Sequence, residues 1–263
     1  MKKKCVLFSL IFSHLCFAEN PYWQGTKKAF EGIGGGALYQ FKNKSNLYYL
    51  PVATGSLLYA FEEDQRITRT YQRKEKNNIV DTIGELGPLI SFPFVSAGFF
   101  YYGENFKSPK AKDFAVEVFS TMYLSLLESS VLSFTFNVHH RPKSIDLEFV
   151  DEAFRGNSSF PSGHVIPYYT LFFKTFQFYG PTWSVLPLAL SYIASEQRMQ
   201  DKKHYFSDLI GSFFLTAFAS EGVRLYNSSD KNHPLYKWIF ENDLKVGLLR
   251  YKRTWGPRVS FSF

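Results

Sequence analysis

Cysteine is almost missing from this chain. Its 263 residues contain two, Cys5 and Cys16, both inside the first eighteen positions. If that segment is a removable leader, the mature chain holds none, which excludes a disulfide framework and thiol chemistry. Long hydrophobic runs are missing as well. Every uncharged stretch is short or broken by proline beside the roughly 20 residues that a membrane-spanning helix needs, and mean hydropathy is slightly negative. These absences favour a helical domain that touches a membrane over an integral protein with six spans. The glycine run Gly32-Ile33-Gly34-Gly35-Gly36 lacks the flanking strand and following Lys-Ser/Thr of a phosphate loop, so it reads as a flexible or close-packing segment. No repeat or low-complexity tract is evident.

What is present starts with a leader. Met1 to Ala18 has three lysines, a short apolar run and then Cys16-Phe17-Ala18 before Glu19, the layout of a secretory signal peptide. Removing Lys2, Lys3 and Lys4 with it takes the formal net charge from +7 to +4. That modest basic excess suits anionic head groups or phosphorylated substrates and does not require nucleic acid. Aromatic residues make up 19% of the chain, a share that suggests a bilayer surface or an apolar groove, since Tyr and Trp favour the wet edge of lipid.

The sequence predicts an all-α bundle. Ser45 to Phe61 is apolar, and Glu62 to Asn78 is a dense charge run that reads as a solvated helix face or loop. Leu86 to Gly103 carries Pro88 and Pro93 and predicts a kinked or broken helix. Ser108-Pro109 opens a long helix to about Val138, interrupted by Glu117 and Glu128. Arg141-Pro142 ends it, a polar connection runs from Lys143 to Ser159, and the next helix begins at Ser162. Gly180-Pro181 and Pro187 break the uncharged stretch from Thr175 to Ser195. Beyond Glu221, Leu244 to Leu248 and Val259 to Phe263 alternate around Trp255-Gly256-Pro257, which suggests a C-terminal β-hairpin. The resulting layout is a signal peptide over 1–18, an N-terminal extension over 19–44, a helical domain over 45–222 and a C-terminal extension over 223–263.

The chemistry concentrates between Phe160 and Asp208. Pro161-Ser162-Gly163-His164 opens an apolar helix, where backbone N–H groups and a hydroxyl favour an anion. Arg198 supplies a planar fork for phosphate oxygens. His204 and Asp208 are four apart, so on the first turn of one helix the carboxylate can hold one imidazole nitrogen while the other faces the anion. With Arg141-Pro142, these residues resemble the three-part signature of the type 2 phosphatidic acid phosphatase (PAP2) superfamily, which includes bacterial acid phosphatases and vanadium haloperoxidases. That signature is Lys, six residues, Arg-Pro; then Pro-Ser-Gly-His; then Ser-Arg, five residues, His, three residues, Asp. Two positions depart from it: Phe134 stands where the family has a phosphate-binding Lys, and Gln197 where it has Ser.

The resemblance implies a PAP2-type helical bundle and a phosphatase that needs no metal or cofactor. His204 would be the nucleophile, Asp208 its orienter and His164 the acid and base. Arg141, Arg198, Ser162 and the Gly163 amide would bind phosphate. The implied substrates are phosphorylated lipids, either phosphatidic-acid-like or prenyl diphosphate, at a membrane surface. The implied location is the bacterial cell envelope, periplasmic or membrane-associated. A periplasmic acid phosphatase of broad specificity and a non-catalytic envelope protein keeping the fold are the alternatives, and a haloperoxidase would hold vanadate in the same pocket. His139, His140, Lys143, Lys202 and Lys203 are all candidates to replace the missing Lys, and the sequence does not choose among them. His139 and His140 are adjacent, so they cannot share one helix face as metal ligands would.

Overall fold

The computed structural model describes residues 20–42, 44–75, 77–136, 138, 140, 142, 158–228, 232–241, 245–251 and 254–260. The predicted signal peptide, Arg141, His139 and Lys143 lie outside these residues. Ten α-helices are described: α1 (Pro21–Tyr39), α2 (Lys44–Gln72), α3 (Asn78–Glu85), α4 (Gly87–Ser91), α5 (Phe94–Asn105), α6 (Pro109–Thr135), α7 (Ile166–Tyr179), α8 (Pro181–Gln200), α9 (Phe206–Tyr226) and α10 (Pro234–Glu241). A 3-10 turn, Gly163–Val165, leads into α7. Two antiparallel strands, β1 (Lys245–Tyr251) and β2 (Thr254–Ser260), follow.

Helix starts follow local chemistry. Asn20 and Asn77 accept hydrogen bonds from the Tyr22 and Ile79 amides, and Ser108 caps α6 before Pro109, satisfying amides that a helix leaves open. Gly180 turns the chain between α7 and α8 with φ at +86°, a conformation that costs glycine nothing. The predicted long helix stops at Thr135 rather than Val138, and α7 begins at Ile166, four residues after the expected start.

The bundle is organised around α9, which packs on α1, α2, α6 and α7. Four neighbours fit because much of its buried surface is small, with Gly211, Ser212, Thr216, Ala217, Ala219, Ser220 and Gly222 beside larger side chains such as Phe214 and Val223. The glycine run of α1 is part of this fit, since a Cβ on Gly36 would lie 2.5 Å from the Val223 side chain. The stretch expected to be an N-terminal extension is thus helical from Pro21 and packs on α6 and α9. Several buried hydroxyls on α6 and α9 bond to carbonyls one turn back, as Ser125 does to Thr121, Ser133 to Ser129 and Thr216 to Ser212, each at 2.8 Å. Satisfied in this way, they cost little to bury. Around Val165, Tyr168, Tyr169, Ala194, Met199 and Leu209 lies the main apolar core; each large side chain buried there is worth about 1.5–3 kcal/mol.

Large apolar side chains also face outward, among them Phe30, Leu50, Leu58, Phe94, Trp183 and Leu186. Among the described helices α6 is long and apolar enough to cross a membrane, though 56% of its apolar window is buried in the protein; α3–α4 and α5 pass the same test only as a pair bent by 62°. In the hairpin the strands pair Lys245 with Ser260 and Tyr251 with Thr254, so Trp255-Gly256-Pro257 lies inside β2 and not at the turn. Proline is tolerated there because both strands are edges.

Candidate active site

The Pro-Ser-Gly-His segment is tied to two helices. Ser133 on α6 donates to the Phe160 carbonyl at 3.0 Å, and Ser212 on α9 donates to the Ser162 carbonyl at 2.8 Å. The Ser162 amide donates to the Asp208 carbonyl at 3.3 Å, which joins the second and third motifs directly. From the other side α4 closes in: a Cβ on Gly87 would stand 2.4 Å from the His164 carbonyl oxygen, so only glycine fits. His164 is half-buried and Ser162 fully buried. The Ser162 hydroxyl has no hydrogen-bond partner among the described residues. A buried orphan hydroxyl costs free energy unless something accepts or donates there, and beside a helix start that something fits an anion.

His204 does not share the helix of Asp208. It sits in the loop before α9, and Asp208 is on the first turn. The imidazole Nδ1 faces two acceptors, the Ser159 carbonyl at 2.9 Å and the Asp208 carboxylate at 3.3 Å. With acceptors on that side, the proton belongs on Nδ1 and the lone pair on Nε2. Asp208 also accepts from the Tyr205 amide at 2.8 Å, which fixes the loop. Asp64 accepts from the Ser207 amide at 2.7 Å and from its hydroxyl at 2.6 Å, while Thr68 accepts from the Phe206 amide. Two carboxylates therefore complement the positive end of α9, and the charge run on α2, expected to be a solvated face, turns two of its residues inward.

Arg198 is 1% exposed at the end of α8. Its Nε donates to the Gln197 side chain at 2.6 Å, and Nη2 donates to the Gly84 carbonyl at 3.3 Å and the Glu85 carboxylate at 3.0 Å. Gln197 in turn donates to Glu85 and to Asp201. The larger amide that replaces the family's Ser thus braces the guanidinium. Lys203 Nζ reaches the same Glu85 oxygen at 3.1 Å. Burial works against the charge on Arg198, and Glu85 and Asp201 oppose that effect. Burial also pushes the Glu85 carboxyl up, but the hydrogen bond from Lys203 and the charges of Arg198 and Lys203 outweigh it and hold the group below the usual carboxylate value.

Ser162, Gly163, His164, Arg198, His204 and Asp208 are therefore gathered where the Pro-Ser-Gly-His turn, the end of α8 and the loop leading into the first turn of α9 meet. Phe134 is 59% exposed, outside this cluster. Four participants were not legible beforehand: Glu85, Asp64, the Ser159 carbonyl and the bracing role of Gln197. Only Gln197 had a signal, its departure from the family pattern. Among the described residues no three His, Cys, Asp or Glu side chains cluster as metal ligands do.

Residues 114–229, from α6 through α9, match the family model of the PAP2 superfamily. No curated protein and no solved structure matches the chain. The match covers the Pro-Ser-Gly-His turn, Arg198, His204 and Asp208, and supports phosphatase-type activity in general.

Proposed function

We propose that the protein hydrolyses phosphate monoesters, with lipid phosphates as its main substrates, through a phosphohistidine intermediate at His204. The observation that carries the reading is the placing of a buried His204 whose Nδ1 faces two acceptors, the Ser159 carbonyl and the Asp208 carboxylate. Nε2 attacks phosphorus as the ester P–O bond breaks, and the leaving oxygen takes a proton from His164. Neutral His164 then removes a proton from water, whose oxygen attacks phosphorus, breaks the N–P bond and frees phosphate. Arg141, Arg198, the Ser162 hydroxyl and the Gly163 amide balance the charge on the equatorial oxygens, a role that needs no metal.

Lipid is favoured by the outward apolar side chains and two apolar grooves. One, of about 820 Å³, lies between α1, α5 and α6; the other, of about 510 Å³, lies between α2, α6 and α9 and the end of α1. Both suit acyl or prenyl chains at a membrane face of the cell envelope, which the predicted leader would reach by export. The test is a phosphate-release screen of the purified protein against detergent-dispersed lipid phosphates and soluble monoesters, with a chelator present and His204→Ala as control. The expected result is release from lipid phosphates, insensitive to chelation and lost in the variant. Turnover of soluble monoesters alone would support a broad-specificity acid phosphatase, and wild-type turnover by His204→Ala would overturn the mechanism.

A further inference from the structure

The family's first-motif Lys is absent at Phe134, and an outward, 59% exposed side chain there gives no route for another cation from that position. Three of the five candidate replacements are described. His140 is exposed and pairs backbone to backbone with Ser158. Lys202 is exposed, with φ at +59°. Lys203 differs from both: it is less than one-third exposed, and its ammonium bonds to the same Glu85 oxygen that Arg198 holds, at 3.1 Å against 3.0 Å. Two cations sharing one oxygen stand one oxyanion apart, the spacing that a phosphate group would bridge.

The location agrees. Glu85 ends α3 two residues before Gly87, whose backbone abuts the His164 carbonyl. The Lys203 and His204 amides both donate to the Arg198 carbonyl, at 3.1 and 3.3 Å, so the loop carrying the nucleophile also carries Lys203. Burial separates the partners: the Arg198 side chain is 1% exposed and that of Glu85 58%. A guanidinium braced by Gln197 and Gly84 cannot leave. A carboxylate reaching in from the surface can, at little cost in solvation.

We propose that Lys203 supplies the phosphate-binding cation missing at Phe134, and that Glu85 is an internal counter-ion occupying the Arg198–Lys203 pair until a substrate oxyanion displaces it. This rests on the phosphatase reading above. In the exchange Glu85 swings into solvent and a phosphate oxygen takes its two charge-assisted hydrogen bonds. Asp201, 3.3 Å from Lys203, keeps the ammonium over the loop in both states.

The test is calorimetric titration of the folded full-length protein with inorganic phosphate and with orthovanadate. The variants are Lys203→Ala, Lys203→Arg, Glu85→Gln and Lys202→Ala. Losing a charge-assisted contact should weaken anion binding on the order of ten-fold or more in Lys203→Ala. Lys203→Arg should restore most of it, and Lys202→Ala should bind as the wild type does. Glu85→Gln should bind both anions more tightly, because no charge has to be displaced; a merely structural Glu85 would give the opposite sign. Wild-type affinity in Lys203→Ala would overturn the cation assignment, and unchanged or weaker binding in Glu85→Gln would overturn the counter-ion. A wild-type protein that binds neither anion would instead remove the phosphate site itself.

Discussion

Two buried ionic clusters stand about 20 Å apart along α9, Asp208 and Glu221 being thirteen residues apart at 1.5 Å per residue. At the far end Lys174 donates to the Glu117 carboxylate at 2.9 Å, the Gln177 amide at 2.8 Å and the Ser220 carbonyl at 2.9 Å. Gln177 passes the network to Glu221, which also accepts from Arg224 and the Tyr236 hydroxyl. Every named member of that cluster is buried. At the near end Arg198 is equally buried, yet its carboxylate partner comes from the surface and is shared with Lys203. The lesson is that burial of charge does not mark a functional site by itself. A cluster whose cation is answered wholly from inside fixes the packing of α6, α7, α9 and α10, whereas one answered by an exposed, exchangeable carboxylate has room for a ligand.

The sharpest way to break this comparison is to remove the cation at each end. Arg198→Ala should lower turnover by roughly 10²- to 10³-fold, the usual loss when one donor to developing charge is deleted, with a melting temperature closer to the wild type. Lys174→Met should do the reverse. It strands the Glu117 carboxylate in the interior and should cost about 3–5 kcal/mol of stability, while turnover per folded molecule stays near wild type. Denaturant melts beside steady-state kinetics check both, and a Lys174→Met protein that melts normally would contradict the structural role. A smaller effect is expected at the junction of α4 and the Pro-Ser-Gly-His turn. Gly87→Ala places a methyl 2.4 Å from the His164 carbonyl, so about 1–3 kcal/mol of stability should be lost to backbone shifts, with a drop in turnover from a displaced His164. Unchanged kinetics there would show that the turn tolerates movement.

How much of this was legible in the sequence follows from range. The helix start at Pro109, the Gly180 corner and the Pro-Ser-Gly-His to Asp208 signature are local patterns of residue type and spacing, and the all-α bundle they predict is the one observed, whereas the helix from Pro21 was not read from the sequence. The glycine run left two readings open, flexible or close-packing, and its contact with Val223 selects the second. Glu85 was not, because it meets Arg198 from 113 positions away, and Asp64 reaches Ser207 from 143. Nothing in a charge run says which carboxylate turns inward until the unsatisfied amides at the start of α9 are placed against it. Trp255-Gly256-Pro257 misled in the other direction: turn-forming residues sit inside β2, where an edge strand has no need of the proline's missing donor. The role of Arg141 lies outside the described residues and stands on the motif alone.

The central claim is that His204, its Nδ1 proton held from behind, attacks phosphorus. The direct measurement is trapping: wild-type protein is mixed with a radiolabelled phosphate ester it turns over, quenched in alkali to preserve phosphoramidate bonds, digested and mapped. The account predicts label on the peptide containing His204, absent in His204→Ala and accumulating when His164 is replaced by Ala and a substrate with a good leaving group is used. Rapid turnover with no labelled histidine, or label on His164 or His140 instead, would contradict it.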